Sequence, residues 1–202
     1  SRDWSSDVCS SDLWKSFIPT RNMRVGFFML QFAVQVPINA LSFGQVSFNI
    51  LREFYKSGLD PCIFRATDHA FDFSSQEPDQ GFYSWIERNH NTSLQRHSRK
   101  NPTIRLWHIN DSIRTYSDKQ VLLTFHETDT LTDVEANILK NSTVCVTSTY
   151  TQSVFKSYGI DSTFIPLGFD SNHFRQTNKT YFNDGRITFN LCGKFEKRKH
   201  HE

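Results

Sequence analysis

Cysteine is scarce in this chain, with four among 202 residues, and Cys9 belongs to a leader set apart below. Cys62, Cys145 and Cys192 lie in apolar, strand-like stretches, and no two have metal-ligand spacing. An odd number argues against a disulfide framework. Buried thiols in a reducing compartment are expected, and so a cytoplasmic protein. Long apolar runs are also missing. The stretch 25–38 is broken by Gln31, Gln35 and Pro37, which makes it too short and too polar to cross a membrane. It reads as a buried strand followed by a loop. Charge of one sign is lacking too. The net is +2, and without residues 1–13, where Arg2 stands against Asp3, Asp7 and Asp12, it is +4. That is too little to argue for nucleic acid, and the cations from Arg96 to Arg105 have no interleaved aromatics. There is no internal repeat, no low-complexity tract and no metal-binding cluster in the sequence. Sequons at Asn91, Asn141 and Asn178 lack a signal peptide and read as chance.

The leader is unlike protein sequence. Residues 3–13, DWSSDVCSSDL, resemble the translation of a sequencing-adapter read-through, so residues 1–13 are excluded from fold reasoning. Met23-Arg24-Val25-Gly26-Phe27 reads as the true start, which makes 1–22 a contaminant or doubtful leader.

What the chain does have is phenylalanine, 19 residues of it, enough for a sizeable core. Short apolar runs alternate with amphipathic segments. This predicts an α/β domain with a Rossmann-like parallel sheet flanked by helices. Strands are expected over 23–30, 61–66, 104–109, 120–125, 143–146 and 162–166, with another at 186–191. A loop is expected over 31–41. The next helix has Ser42 as N-cap, an apolar stripe of Val46, Ile50, Leu51 and Phe54, and Gly58 as its stop. Residues 67–100 are polar and hold one helix near 81–88. Thr132 with Glu135 forms a capping box for a helix to Lys140, and Thr149 with Gln152 caps a helix ending at Gly159.

Ligands of parallel α/β sheets bind at the carboxyl ends of the strands, and four features fall there. Gly44 opens a helix, where N–H groups and the helix dipole attract an anion. Trp107-His108-Ile109-Asn110-Asp111 follows one strand, and Thr124-Phe125-His126-Glu127 follows the next. Neutral imidazoles there can hydrogen-bond a hydroxyl or phosphate oxygen. Protonated ones can offset charge on a leaving group. The fourth is Gly193-Lys194, with Lys199 five residues on. The glycine allows close backbone approach and the two ammonium groups act as point charges on phosphate oxygens. Each feature also has a structural reading: a plain helix start, packed histidines, a solvated basic run, and a capping role for Glu135.

The order of these pieces resembles the large retaining glycosyltransferase family of the GT-B fold that includes bacterial glycan and phosphatidylinositol mannosyltransferases. The resemblance rests on Ser42-Phe43-Gly44, Trp107-His108, Thr124-Phe125-His126-Glu127, Glu135 and Val144-Cys145-Val146-Thr147-Ser148. It continues through Ile165-Pro166-Leu167-Gly168-Phe169-Asp170, His173-Phe174, and Gly193-Lys194 with Lys199. The family's double glycine is here the single Gly44, and its arginine is Lys194. The resemblance implies an acceptor-side Rossmann-like domain over 23–172, an interdomain linker over 173–185, and the truncated start of a donor-binding domain over 186–202. It implies transfer of a sugar from a nucleotide-diphosphate donor to a glycan, lipid or other hydroxyl acceptor, with retention. Beyond the nucleotide sugar as co-substrate no cofactor or metal is expected, and no nucleic-acid partner. A peripheral membrane contact is compatible with it, and the chain alone is expected to be inactive. By that resemblance His126 and His108 are catalytic, and Gly44, Gly193, Lys194 and Lys199 bind the donor phosphates, with Glu127, Asn110 and Ser148 in support. A nucleotide-sugar epimerase of the same fold and a non-catalytic Rossmann-like binding module are the alternatives.

Overall fold

The computed structural model describes residues 31–76, 79–168 and 185. The chain divides into two units, Ser1–Phe169 and Asp170–Glu202. The described strands lie in the first, and of the second only Gly185 is among the described residues. In chain order the elements are β1 (Ala33–Val36), α1 (Ser42–Lys56), β2 (Cys62–Arg65), α2 (Gln80–Asn91), α3 (Ser93–Arg96) and β3 (Thr103–Leu106). A 3-10 turn (Ile109–Asp111) follows, then β4 (Gln120–Thr124), α4 (Asp133–Lys140), β5 (Thr143–Val146), α5 (Thr149–Ser157) and β6 (Ser162–Phe164).

The six strands form one sheet in the order β2-β1-β3-β4-β5-β6, and every neighbouring pair is parallel. This is the expected α/β, Rossmann-like architecture. Successive strands run outward from β1 in one direction to β2 and in the other to β3. The carboxyl edge between β1 and β3 is therefore the switch point where such sheets open a crevice.

Each face of the sheet has its own core. On one, Val34, Val36, Ile63, Leu106 and Leu123 pack with Phe48, Leu51 and Phe54 of α1 and with Phe82, Trp85 and Ile86 of α2. On the other, Leu122, Val144 and Val146 meet Leu139 of α4 and Val154 and Phe155 of α5. Burial of each large side chain contributes roughly 1.5–3 kcal/mol. The second face turns polar over β1 and β3, where Gln35 and Arg105 pair in register and both are buried. Burial lowers the Arg105 pKa to about 10, with Asp111 acting in the opposite sense, and its guanidinium donates to the Arg114 carbonyl. Cys62 and Cys145 are free buried thiols, as expected, and burial pushes Cys145 up to about 11.

Several expected boundaries move. The strand expected over 23–30 lies outside the described residues, and β1 occupies part of the segment expected to be loop. Gln31, Gln35 and Pro37 interrupt the apolar run there, which made it read as a loop. In fact β1 is an interior strand whose ladders are filled by β2 and β3, and all four of its residues are buried. Ser42 does not cap α1 but is its first helical residue. The preceding turn is closed instead by Asn39, whose Oδ1 accepts from the Leu41 amide at 2.9 Å. Ser148, one residue before Thr149, caps α5 by accepting from the Thr151 amide at 3.1 Å. β3 stops at Leu106, because the chain turns Ile109 into the second core through the 3-10 turn. The capping box of Thr132 and Glu135 is present as expected, as is the helix near 81–88, which runs from Gln80 to Asn91 with Asp79 as cap. The strand at 186–191 lies outside the described residues. Among the described residues no helix is long and apolar enough to cross a membrane.

Candidate functional site

The site is built at the carboxyl edge from three chain segments: the start of α1 and the ends of β3 and β4. Phe43, in the first turn of α1, is the piece that joins them. Its ring lies 4.6 Å from the His108 ring, 5.5 Å from Trp107 and 4.6 Å from Phe125, centroid to centroid. Trp107 in turn meets His108 edge-on at 5.0 Å. Contacts of this kind add about 0.5–1.5 kcal/mol each beyond simple burial. The two histidine segments are thus tied to one helix start, whose first-turn amides have no intrahelical acceptor.

Gly44 sits beside Phe43 and is buried. A Cβ there would run into the backbone nitrogen and carbonyl of Asn39 and its Oδ1. The missing side chain lets the Asn39 turn close against α1, so the β1–α1 loop can hug the helix.

His108 is exposed, and among the described residues its ring has aromatic contacts but no hydrogen bond. His126 is half-buried and differently held. Its Nε2 is 3.1 Å from the Thr130 carbonyl and 3.0 Å from Thr128 Oγ1, and that hydroxyl itself donates to Thr130 at 2.9 Å. A carbonyl only accepts, so Nε2 carries a proton, and in the neutral ring Nδ1 holds the lone pair. The ring also lies 5.5 Å from Phe155 of α5.

Ser148 reaches the same place indirectly. Its hydroxyl donates to Thr151 Oγ1 at 2.9 Å, and Thr151 donates to the His126 carbonyl at 2.9 Å. The cap of α5 thereby fixes the backbone of the β4 loop. Thr124 ends β4 fully buried, with its hydroxyl unpartnered, directly before Phe125. Asn110 is exposed in the 3-10 turn, and Glu127 is exposed beside His126. Glu135 accepts from the Thr132 amide and hydroxyl at 2.9 and 2.8 Å, which occupies one of its oxygens in the cap.

The structure therefore brings Gly44, His108 and His126 to one edge, with Ser148 behind His126. Gly193, Lys194 and Lys199 lie outside the described residues. No group of three or more His, Cys, Asp or Glu side chains among the described residues could hold a metal. The aromatic residues Phe43, Trp107 and Phe125 were not singled out from sequence. The signal was there: each histidine directly follows an aromatic residue at a strand end, Trp107-His108 and Phe125-His126. No family model matches this chain, and no curated protein or solved structure matches it significantly.

Proposed function

We propose that this chain carries the acceptor-side domain of a retaining GT-B glycosyltransferase, which moves a sugar from a nucleotide-diphosphate donor to a hydroxyl acceptor. The observation that carries the reading is the Phe43 junction, which gathers a helix start and two imidazole-bearing strand ends at the switch edge of a parallel sheet. In this reading His126 offers Nδ1 to a sugar hydroxyl, its other nitrogen being anchored to Thr130. His108 lines the cleft. Lys194 and Lys199 offset the charge that builds on the diphosphate as its bond to the sugar breaks. Rate enhancement comes from orientation and charge stabilisation, with no covalent step assigned to the protein. A specific observation favours the plainer alternative of a non-catalytic binding module: the hydrogen bonds of the His126 ring close within its own loop.

Ring-resolved NMR tests the proposal. Titration with nucleotide-diphosphate glucose and mannose is expected to shift the His108 and His126 resonances saturably. His90 and His97, whose ring nitrogens lie 3.0 Å from the Ile63 and Tyr116 carbonyls, serve as internal controls and stay put. If no donor moves either site ring, or all four move together, the reading fails. Charge reversal at Lys194 and Lys199 that leaves donor binding intact selects the binding module instead.

A further inference from the structure

The carboxyl edge holds a recess that the reading above leaves unused. β1 and β2 end side by side at Val36 and Arg65. The segments that follow diverge and enclose about 310 Å³, at the small end of ligand-pocket volumes and suited to one sugar-sized molecule. The walls are tied together: the Asp72 amide donates to the Ile38 carbonyl at 2.9 Å, and the Asn39 turn holds Leu41. Pro37, Ile38 and Phe71 give the recess apolar sides.

Its charged groups are few and unpaired with each other. Arg65 and His69 both line the recess, both are exposed, and neither has a side-chain partner among the described residues. Asp72 lines it as well, its carboxylate accepting from the Ser74 amide at 2.9 Å. The Ser74 hydroxyl and amide hold this carboxyl below its ordinary pKa, so it remains an acceptor at neutral pH. A guanidinium and a carboxylate that share a recess without pairing ask for a ligand with two kinds of group. A bare anion would face Asp72. A neutral polyol would leave Arg65 unused. A hydrocarbon would satisfy neither.

We propose that this recess binds a small polyol carrying one anionic group, a phosphate or a carboxylate. Arg65, with its planar fork of donors, takes the anion. His69 donates beside it, and the exposed carboxylate of Asp72 accepts from the ligand hydroxyls. Leu41 leads directly into α1, where Phe43 carries His108. Resting on the glycosyl-transfer reading, this ligand is the acceptor.

Calorimetric titration of the intact chain with glucose 6-phosphate, glucuronate and glucose tests the proposal, since the three share a ring and differ in charge. At least one acid is expected to bind at least about tenfold more tightly than glucose, which corresponds to one charge-assisted contact. Whichever acid binds identifies the anion as phosphate or carboxylate. Arg65→Gln should abolish that preference, Arg65→Lys should keep part of it, and Asp72→Asn should weaken binding severalfold. Glucose binding as tightly as both acids overturns the proposal, as does no binding by any probe. Full binding by Arg65→Gln with an unchanged melting temperature does so too. The two readings fail separately. Acid binding without a response of His126 to nucleotide sugars keeps the recess and discards the transferase. A His126 response with Arg65→Gln indistinguishable from the parent discards only the recess.

Discussion

Gly44 shows how much one absent atom can decide. From sequence it was a glycine at a helix start, where an anion could approach. The structure adds a second reason for it: the Asn39 backbone occupies the space a Cβ would need. The obstacle is main chain, which cannot swing aside as a flexible side chain would. Gly44→Ala should therefore destabilise the domain by about 1–3 kcal/mol from overpacking. That loss outweighs the roughly 1 kcal/mol that alanine gains over glycine inside a helix. Urea unfolding measures the balance, and an alanine variant as stable as the parent would contradict the packing argument. Arg105 makes the complementary point. A strand arginine carries a full charge, yet Arg105 is buried, and only the tertiary neighbours reveal the Arg114 carbonyl it serves. Its folded pKa of about 10 and its higher unfolded value both lie above pH 9. It therefore gives no slope to stability between pH 6 and 9.

At the scale of elements, one carboxylate anchors a helix. Asp60, in the loop before β2, accepts from Trp85 Nε1 at 2.8 Å, Arg88 Nη2 at 2.9 Å and Asn89 Nδ2 at 3.1 Å, all three on α2. Desolvation pushes its pKa up, but the hydrogen bonds from Asn89 and Trp85 and the charge of Arg88 outweigh it. The folded value lies below the ordinary 3.8. A depressed carboxyl stabilises the fold above its unfolded pKa, and that stability is lost as pH falls through the folded value. Asp60→Asn should therefore cost about 1–2 kcal/mol at pH 7. The gap from the parent should narrow once pH drops below about 3.8. Denaturation midpoints at pH 7 and pH 3 check this, and an equal gap at both would refute it. The Thr132 box on α4 was legible because its signal is local: two residues three apart, bonded within one turn. The link from Ser148 through Thr151 to His126 was not, because it joins residues 25 apart across two strands.

Among the described residues, the first unit is one sheet with a large core on each face. Phe48 of α1 fills the first and Phe155 of α5 the second, both almost wholly buried. Strands shared by both cores should make them unfold together. Phe48→Ala and Phe155→Ala are each expected to cost about 3–5 kcal/mol. Each should lower a single transition that appears identical by fluorescence and by circular dichroism. Two separate transitions in either variant would show that the faces fold independently.

The chain's own residues determined the α/β class, five of the six strand positions to within a few residues, the capping box and the buried thiols. All of these follow from periodicity and short-range bonding, which a linear sequence carries directly. Only the tertiary structure decided that β1 lies inside the sheet at 33–36, where Gln35 hides between two ladders. Only it decided that Phe43 gathers His108 and the β4 end, and that Arg65 and Asp72 share a recess. Those facts depend on strand order. Strand order is fixed by which faces bury together across dozens of residues, and that pairing leaves no local mark in the sequence.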